Sequence, residues 1–386
     1  MGAQSSNEEA PGLTRREVLT GLAAAGIATL GSGTAAFAAP TPTPSGTTPT
    51  PTPAASPAKP KFGFVLATEQ FLTTELVQLA MAAEQAGFDE LWLSDQFQPW
   101  QDNQGHAMAP WLTLAVLGVY TKRVALGTSA TCPLFRHPPS QVAQAFASLG
   151  VLFPGRIFLG LGTGAAVNEL AATGQFPAYP ERAERWVEAV RVIRQLWTGN
   201  YVQVPGKYYQ VPVAKLYDVP SPPAPIYMAA SGINSARLAG QHGDGWVTRA
   251  ADLAAQPKLL QAFREGATAV GKSASTLPVR VTTFVVVGGT KEATYAAERW
   301  RFLPGAFTKE FIYAADPRTI QQQAKSKYSI ATVTKSWVVD DEAGPHIKAI
   351  QKLLAQGVTH VAIQSGQADQ QTVIEFYGTK VLPQLR

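Results

Sequence analysis

Four short segments of this chain carry polar residues or glycines directly after apolar, strand-like runs. They are residues 94–100, 127–130, 160–164 and 229–232. The glycines of 160–164 would let the backbone approach a flat or phosphorylated ligand closely, because glycine has no side chain. Residues 229–232 precede a predicted helix, whose free N–H groups would bind an anion. The alternatives are tight packing at the glycines and an ordinary strand-to-helix turn.

Other chemistries have little support in the sequence. Gly160, Gly162 and Ala165 match the spacing of a dinucleotide fingerprint, but the match follows the fourth strand instead of opening the fold, which is weak support. The five histidines lack metal-pair spacing and the chain has one cysteine, so no metal site is expected. No Gly-x-Ser-x-Gly motif indicates a serine hydrolase. A net charge of +5 without a Lys/Arg run predicts no nucleic-acid partner.

Eight apolar runs alternate with helical sequence and must position those four segments. The runs are residues 61–67, 91–93, 124–126, 157–159, 226–228, 246–247, 281–287 and 360–363. This alternation predicts an α/β fold, a (β/α)8 TIM barrel whose site is built by the loops at the carboxyl ends of the strands. Residues 201–211 are predicted to form an inserted hairpin. The irregular stretch 302–335 is predicted to be a substrate lid.

The N-terminal region predicts export. Arg15 and Arg16 precede an Ala/Gly/Leu-rich run that ends in the cleavage pattern Ala36-Phe37-Ala38, so residues 1–38 are typical of a twin-arginine signal peptide. A membrane-anchoring helix is the alternative. Residues 39–60 are a Pro/Thr-rich linker, and residues 61–386 are the folded domain. Having one cysteine excludes an intramolecular disulfide, which agrees with folding in the cytoplasm before export by the twin-arginine translocase to the envelope, periplasm or medium.

Several motifs occur together in order. They are residues 67–71 (Ala-Thr-Glu-Gln-Phe), 94–100, 126–129, 160–164 with Asn168-Glu169, and 217–220 (Tyr-Asp-Val-Pro). In this combination the chain resembles luciferase-like barrel oxidoreductases. It is most similar to the subgroup that uses coenzyme F420, namely the glucose-6-phosphate dehydrogenases and, more closely, the exported hydroxymycolic acid dehydrogenase group. The resemblance implies coenzyme F420, a deazaflavin that moves a hydride at C5, and a homodimer.

The resemblance also implies roles for individual residues. Those expected to line the cofactor ring are Asp95, Cys132, Thr163, Gly164 and Asn168. A non-prolyl cis peptide between Ser129 and Ala130 is expected to buttress the ring. The residues expected to hold the cofactor phosphate are Ser231, Gly232, Asn234 and Ser235. Glu69 and Trp100 are expected to face the substrate.

Two departures from the family pattern concern proton transfer. Gln96 stands where the family has a catalytic histidine, and Ala165 stands where it has an acidic residue. A glutamine amide cannot ionise, so Gln96 is expected only to orient the substrate oxygen. Glu69 is the remaining base, and an apolar pocket would raise its pKa. Arg249 is expected to be an unmatched cation that meets the substrate near the mouth of the site.

The sequence thus predicts an exported F420-dependent oxidoreductase. Its expected substrate is a small molecule bearing a hydroxyl, a carbonyl or an activated alkene. Because the cations that grip a sugar phosphate are missing, with Ser336 at one such place, the substrate is expected to be apolar, up to a lipid-like molecule. Two alternatives remain. One is a catalytically lapsed F420-binding protein, and the other is an FMN-dependent luciferase-like monooxygenase.

Overall fold

The eight predicted apolar runs form one closed parallel barrel. A computed structural model describes residues 59–386, and Pro60–Arg386 form one unit. The predicted signal peptide and nearly all of the predicted linker lie outside the described residues. The barrel strands, in spatial order, are β1 (Lys61–Leu66), β2 (Glu90–Leu93), β3 (Ala125–Thr128), β4 (Ile157–Leu161), β7 (Ile226–Ala229), β8 (Gly245–Arg249), β9 (Val279–Val287) and β11 (His360–Gln364). Strand β11 pairs with β1 and closes the ring, and every neighbouring pair is parallel.

Three further strands lie outside the ring. The predicted hairpin is present as β5 (Val202–Val204) and β6 (Val211–Ala214), which pair antiparallel. Strand β10 (Val338–Asp340) pairs with the carboxyl-terminal half of β9. The hairpin contacts the loop after β3, where the Tyr209 hydroxyl donates a hydrogen bond to the Leu134 carbonyl at 2.9 Å.

Helices connect the strands, as an alternating chain requires. They are α1 (Thr73–Gln85), α2 (Pro110–Tyr120), α3 (Pro139–Leu152), α4 (Glu169–Thr173), α5 (Tyr179–Leu196), α6 (Ile233–His242), α7 (Ala250–Ala255), α8 (Leu259–Ala269), α9 (Thr290–Arg299), α10 (Pro317–Lys327), α11 (Ile330–Thr334), α12 (Ala343–Ala355) and α13 (Gln370–Phe376). Helix α5 buries the predicted stripe of Trp186, Val190 and Ile193. Within residues 59–386, none of these helices combines the length and the apolar character needed to cross a membrane.

The barrel is closed tightly at β3 and β4 because two glycines face neighbouring backbone. A Cβ atom on Gly160 would lie 2.0 Å from the Thr128 carbonyl oxygen, and one on Gly127 would lie 2.3 Å from the Phe158 carbonyl oxygen. Gly160 therefore serves strand packing, which is the plainer of the two alternatives for the glycine-rich segment. The barrel topology also excludes the dinucleotide-fingerprint interpretation, because the glycines do not open a Rossmann unit.

The amino-terminal end of the barrel holds a buried ion pair. Arg280 Nη1 lies 2.7 Å from Glu90 Oε2, and both side chains are less than 5% exposed. The same carboxylate oxygen accepts a hydrogen bond from Trp92 Nε1 at 3.0 Å. The Arg280 guanidinium lies 3.7 Å from the centre of the Tyr227 ring. This end of the barrel is thus filled with charge and aromatic rings, away from the loops at the opposite end.

The stretch 302–335 is more helical than an irregular lid. It contains a 3₁₀ turn at Leu303–Gly305 and helices α10 and α11. Asp316 caps α10 by accepting a hydrogen bond from the Arg318 N–H at 2.9 Å, with Pro317 at the first helical position. Ser329 caps α11 in the same way, with the Thr332 N–H donating at 3.1 Å. The prediction of an unstructured stretch was therefore wrong for these two helices.

Candidate active site

A cavity of about 310 Å³ lies at the carboxyl ends of the barrel strands. Loops from β1, β2, β3, β4, β7 and β8 all contribute to its wall. The predicted site residues that line it are Glu69, Asp95, Gln96, Trp100, Ser129, Ala130, Cys132, Thr163, Gly164, Asn168, Ser231, Ser235 and Arg249. Gly232 and Asn234 do not line the cavity, and Asn234 is exposed on the first turn of α6. The chain thus brings most of its predicted site to one place.

Asp95 is held ionised by a network of donors. It is buried, and its Oδ1 lies 2.7 Å from Arg136 Nη2 and 3.5 Å from His137 Nε2. Its Oδ2 accepts a hydrogen bond from the Thr131 hydroxyl at 2.6 Å. Burial alone would raise the pKa of Asp95, but the contacts with His137, Arg136 and Thr131 lower it to about 2. Asp95 therefore presents a fixed negative charge at the cavity wall.

Arg136 and His137 belong to the charge network around Asp95, and sequence reasoning missed both. Arg136 spans two carboxylates, since its Nε lies 3.5 Å from Glu169 Oε1 while its Nη2 contacts Asp95. The His137 ring stacks on Trp111 with 4.2 Å between the ring centres. The available signal was a pair of basic residues in the loop after β3, where a buried aspartate at the end of β2 needs a counter-charge.

Glu69 differs from Asp95 in that no cation among residues 59–386 lies beside it. It is 2% exposed and lines the cavity. Its Oε1 accepts a hydrogen bond from the Ser94 hydroxyl at 3.1 Å, and its Oε2 accepts one from the Thr68 hydroxyl at 3.4 Å. Burial raises the pKa of Glu69 above its ordinary value, although these hydrogen bonds oppose the change. A carboxyl of this kind can exchange a proton with a molecule in the cavity.

Gln96 and Asn168 form a fixed pair. The Asn168 amide Nδ2 donates to Gln96 Oε1 at 2.5 Å, and Asn168 Oδ1 accepts from the Phe97 N–H at 2.8 Å. The carbonyl of Gln96 is thereby occupied, so its NH₂ group is the part free to contact a bound molecule. Gln96 can donate a hydrogen bond to an oxygen but cannot take a proton from it.

Aromatic side chains build another part of the cavity wall. Trp100 is 6% exposed and stacks on Phe302, with ring centres 4.9 Å apart and planes 11° apart. Trp300, Phe302, Leu303, Ala306, Phe307 and Ile312 also line the cavity. We call residues 300–313, between α9 and α10, the lid segment. The part of the predicted lid that reaches the cavity is this segment, and it makes that wall apolar.

A buried cation that sequence reasoning missed faces the cavity from α5. Arg182 is 3% exposed, and its Nε and Nη1 atoms have no hydrogen-bond partner. Its guanidinium lies 3.8 Å from the centre of the Phe176 ring. The hydroxyl of Tyr179, on the same helix, is also buried at this wall, next to Ser235. Buried donors without acceptors at a cavity wall indicate a site for an anion.

Arg249 lines the mouth of the cavity but is not an unmatched cation. Its Nε lies 2.8 Å from Asp252 Oδ2 and its Nη2 lies 2.7 Å from Asp252 Oδ1, a bidentate pair. The expectation of a free charge was wrong, because Asp252 stands one helical turn later, on α7, and turns its carboxylate back to β8. The residue pair Arg249–Asp252 is close to neutral as a unit.

The loop after β3 places the Ser129–Ala130 peptide bond and the Cys132 thiol at the cavity wall. The peptide bond between Ser129 and Ala130 is cis, as the resemblance implied. Cys132 is buried, and burial raises the pKa of its thiol well above the usual value. Gly164 has φ +72°, and a Cβ atom there would lie 2.6 Å from Cys132 Sγ.

Within residues 59–386, no three His, Cys, Asp or Glu side chains are grouped to hold a metal ion.

Comparison with known proteins agrees with this architecture. Residues 58–344 match the model of the luciferase-like monooxygenase family. Over 330 residues, 86% of this chain and 89% of the relative, the sequence is 49% identical to the F420-dependent hydroxymycolic acid dehydrogenase of Mycobacterium tuberculosis. It is 38% identical to an F420-dependent glucose-6-phosphate dehydrogenase of Gordonia bronchialis, over 84% of this chain and 97% of that protein.

Two solved structures place the fold. An F420-dependent secondary alcohol dehydrogenase, in complex with an F420–acetone adduct, superimposes with a TM-score of 0.79 at 30% identity, over 85% of this chain and all of that chain. The long-chain alkane monooxygenase LadA superimposes with a TM-score of 0.67 at 16% identity, over 86% of this chain and 92% of that one, which shows the fold alone. This chain belongs to the luciferase-like monooxygenase family.

Proposed function

We propose that this protein is an F420-dependent oxidoreductase that interconverts a hydroxyl and a carbonyl group on an apolar small molecule outside the cytoplasm. The observation that carries the proposal is Glu69, a buried carboxyl beside which the described residues place no cation, in a cavity whose wall is partly aromatic. Three proteins that are 30% or more identical to this chain are named as F420-dependent dehydrogenases. An enzyme of that kind needs a cofactor site, a proton acceptor and a place for the alcohol.

The cavity fits a cofactor that carries a phosphate. The unpartnered donors of Arg182 and the buried hydroxyl of Tyr179 lie at the wall that Ser231 and Ser235 also line, and the first turn of α6 begins there. These groups would hold the phosphate of coenzyme F420, because two buried donor side chains and a helix N-terminus all favour an anion. Thr163, Gly164 and the Ser129–Ala130 peptide would lie against its ring. When bound, the coenzyme supplies a deazaflavin ring that accepts or donates a hydride.

The protein's own contribution to the chemistry is proton transfer and exclusion of water. Oxidation of an alcohol releases the hydroxyl proton, and a base must take it. Glu69 is the carboxyl suited to this, since burial brings its pKa closer to neutrality while Asp95 stays ionised at every physiological pH. Gln96 donates a hydrogen bond from its NH₂ group to the substrate oxygen. Trp100 and Phe302 keep water from that side of the cavity.

The electrostatics of the cavity favour an uncharged substrate. Arg136 is paired with Asp95 and Glu169, Arg249 is paired with Asp252, and Arg182 is assigned to the cofactor. No cation that lines the cavity in the described part of the chain is then left to bind a phosphorylated sugar. We propose a secondary alcohol with apolar substituents, including lipid-like ones, as the substrate class.

Binding of the cofactor tests the proposal directly. The mature domain is titrated with coenzyme F420 and, separately, with FMN, and quenching of tryptophan emission is followed. We expect tight binding of F420 and weak binding of FMN. Preference for FMN would replace the proposal with an FMN-dependent monooxygenase. Tight F420 binding without oxidation of any secondary alcohol across a broad panel would favour the lapsed F420-binding protein, which the replacements at Gln96 and Ala165 first suggested.

The site of action is proposed from the sequence. Arg15 and Arg16 begin a segment with the pattern of a twin-arginine signal, so the translocase of that pathway is the expected partner during export. Fractionation of cells that express the full chain should find the protein outside the cytoplasm. Replacement of both arginines by lysine should retain it in the cytoplasm, and an unchanged distribution would contradict the export proposal.

A further inference from the structure

The ion pair Arg249–Asp252 connects the end of β8 and the start of α7 to the lid segment. Arg249 Nη1 donates to the Leu303 carbonyl at 3.3 Å, while its Nε and Nη2 hold Asp252. The same guanidinium lies 4.6 Å from the centre of the Phe307 ring. One arginine thus contacts an acid on its own side of the mouth and two residues of the lid segment on the other.

The two ends of the lid segment are attached elsewhere. At its start, the Phe302 N–H donates to Gln101 Oε1 at 2.9 Å. At its end, the Ile312 carbonyl accepts from the Ala166 N–H at 2.9 Å. Between them, the part 303–308 receives one hydrogen bond from outside the segment within the described residues, the bond from Arg249. Arg249 thus supplies the polar attachment of this part from outside the lid segment, while Ala306 is held by packing in the hydrophobic cluster of Trp100 and Phe302.

Phe307 occupies a position between the cavity and solvent. It lines the cavity and meets Trp100 edge-to-face, with ring centres 6.0 Å apart, yet it is 51% exposed. Phe302, by contrast, is 1% exposed and fixed in the wall. Swinging Phe307 outward exposes only the buried half of its side chain, so the hydrophobic free energy opposing that motion is smaller than it would be for Phe302. Phe307 is placed as a movable side chain, and Phe302 is not.

The size of the cavity makes such a motion necessary for large substrates. About 310 Å³ is at the lower end of the roughly 300–1,000 Å³ of pockets that enclose a drug-sized ligand. A three-ring cofactor and a long substrate together need more room than this. The part of a long substrate that does not fit has to extend out of the cavity through its mouth, where Phe307 lies.

We propose that Arg249 and Phe307 determine which substrates are accepted: Arg249, paired with Asp252, latches Leu303 and Phe307 over the mouth, and the latched Phe307 limits the length of the substrate. Arg249 is then a positioning residue and not a ligand of a substrate anion. The latch is a property of the folded chain alone, whereas the statement about substrate length rests on the proposed function.

Cys132 makes the latch measurable without any cofactor. It is the single cysteine of the chain, it lines the cavity, and it is 3% exposed, so a thiol reagent has to enter the cavity to reach it. The rate constant for labelling with a bulky, uncharged pyrene maleimide is divided by that for N-ethylmaleimide. The ratio cancels the effect of the raised thiol pKa, which both reagents share.

We expect this ratio to rise at least fivefold in Arg249→Met and in Phe307→Ala. Arg237→Met serves as the matched control, because Arg237 pairs with Glu265 on the exposed surface of α6 and α8. Circular dichroism confirms that each variant is folded, and Phe307→Ala keeps the test available if Arg249→Met does not fold. A ratio within twofold of the wild type in folded Phe307→Ala, or in folded Arg249→Met, overturns the proposal.

With F420 and a series of secondary alcohols of increasing chain length, the same variants should raise kcat/KM for the longest alcohol relative to the shortest by at least fivefold. A wild type that binds no F420 would refute the proposed function and leave the labelling result intact. A wild type that oxidises these alcohols, with variants whose chain-length profile is unchanged, would refute the role of Phe307 in specificity.

Discussion

Glu69 and Asp95 are two buried carboxyls in one cavity whose pKa values move in opposite directions. Asp95 has Arg136, His137 and Thr131 around it, which bring its pKa to about 2, whereas Glu69 has two hydroxyl donors and no cation, so burial raises its pKa. When the pKa values of two carboxyls in one site are shifted apart in this way, one carboxyl stays charged and the other can exchange protons. This contrast assigns the charge to Asp95 and the proton to Glu69.

Replacement of Glu69 by glutamine should lower kcat about 10²- to 10⁴-fold with a secondary alcohol that the wild type oxidises, because the base is lost while the shape is kept. F420 affinity, measured by tryptophan quenching, should stay within about threefold of the wild type, since Glu69 is expected to face the substrate. An activity within a few-fold of the wild type would exclude Glu69 as the base.

Ser94→Ala is the companion variant for the same assignment. The Ser94 hydroxyl donates to Glu69 Oε1 and favours the charged carboxylate, so its removal should raise the pKa of Glu69 further. The acidic limb of the kcat profile should therefore move to higher pH, with a smaller loss of the plateau rate than in Glu69→Gln. A limb that stays in place would mean that a different group titrates.

The raised pKa of Glu69 also predicts that the stability of the protein depends on pH. The pKa of Glu69 is higher in the folded chain than in the unfolded chain, where it is about 4.3, so the folded state binds more protons between the two values. Its contribution is fully present below the unfolded pKa and is lost as pH rises through the folded pKa. At pH 7.5, Glu69→Gln should thus be more stable than the wild type, and the difference should shrink towards pH 4.5. Urea unfolding at both pH values measures this.

The pKa of Asp95 is shifted in the opposite direction, so Asp95 is the control for this pH dependence. Its folded pKa of about 2 is below the unfolded value of about 3.9, so its contribution is present above the unfolded pKa and is lost as pH falls through about 2. Asp95→Asn should therefore destabilise the protein at neutral pH. If Glu69→Gln and Asp95→Asn changed stability at pH 7.5 in the same direction, the contrast between the two carboxyls would be wrong.

Arg182 should contribute to cofactor binding through the phosphate. Hydrogen bonds to charged groups contribute about 1.5–3 kcal/mol, so Arg182→Gln should weaken F420 binding roughly 10- to 150-fold. Tyr179→Phe should weaken it less, because it removes one neutral donor. Both affinities are measured by titration of the folded variants with F420.

The deazariboflavin that lacks the phosphate distinguishes loss of a phosphate contact from a general disturbance of the cavity. Its affinity should be nearly the same for the wild type and Arg182→Gln, because the group that Arg182 contacts is absent. An equal loss of affinity for both ligands would show that the variant disturbs the cavity and that Arg182 does not bind the phosphate. Inorganic phosphate should compete with F420 for the wild type and not for Arg182→Gln.

The barrel could be predicted from the sequence because each strand is a short apolar run bounded by polar or glycine residues. All eight runs became barrel strands within a few residues of their predicted bounds. Such runs are strong local signals, since both faces of a parallel strand are covered. Helices α10 and α11 were missed although Asp316-Pro317 and Ser329 are cap signals, because each buries only one or two apolar residues: Ile320 and Ala324 in α10, and Val333 in α11.

The site was easiest to predict where a residue lies in a loop that follows a strand. Glu69, Asp95 and Cys132 have this position, and they line the cavity. Arg182 lies inside a long helix whose charged residues are mostly on the surface, so sequence alone does not show that its guanidinium turns inward. The pairing of Arg249 with Asp252 was likewise missed, because it depends on how α7 leaves β8 and not on residue type.

The buried ion pair Glu90–Arg280 predicts a large loss of stability from a single substitution. Replacing Glu90 with glutamine leaves the Arg280 guanidinium, whose Nε already has no hydrogen-bond partner, without its carboxylate inside the barrel. Breaking a buried pair on one side typically lowers the free energy of unfolding by about 3–5 kcal/mol. Glu265→Gln, which breaks an exposed pair with Arg237, should lower it by less than about 1 kcal/mol. Urea unfolding measures both values.

The same variant also tests whether the two ends of the barrel are independent. Because Glu90 lies at the end of the barrel opposite the cavity, the folded Glu90→Gln protein should bind F420 as tightly as the wild type. A loss of affinity in the folded variant would instead show that the two ends of the barrel are coupled.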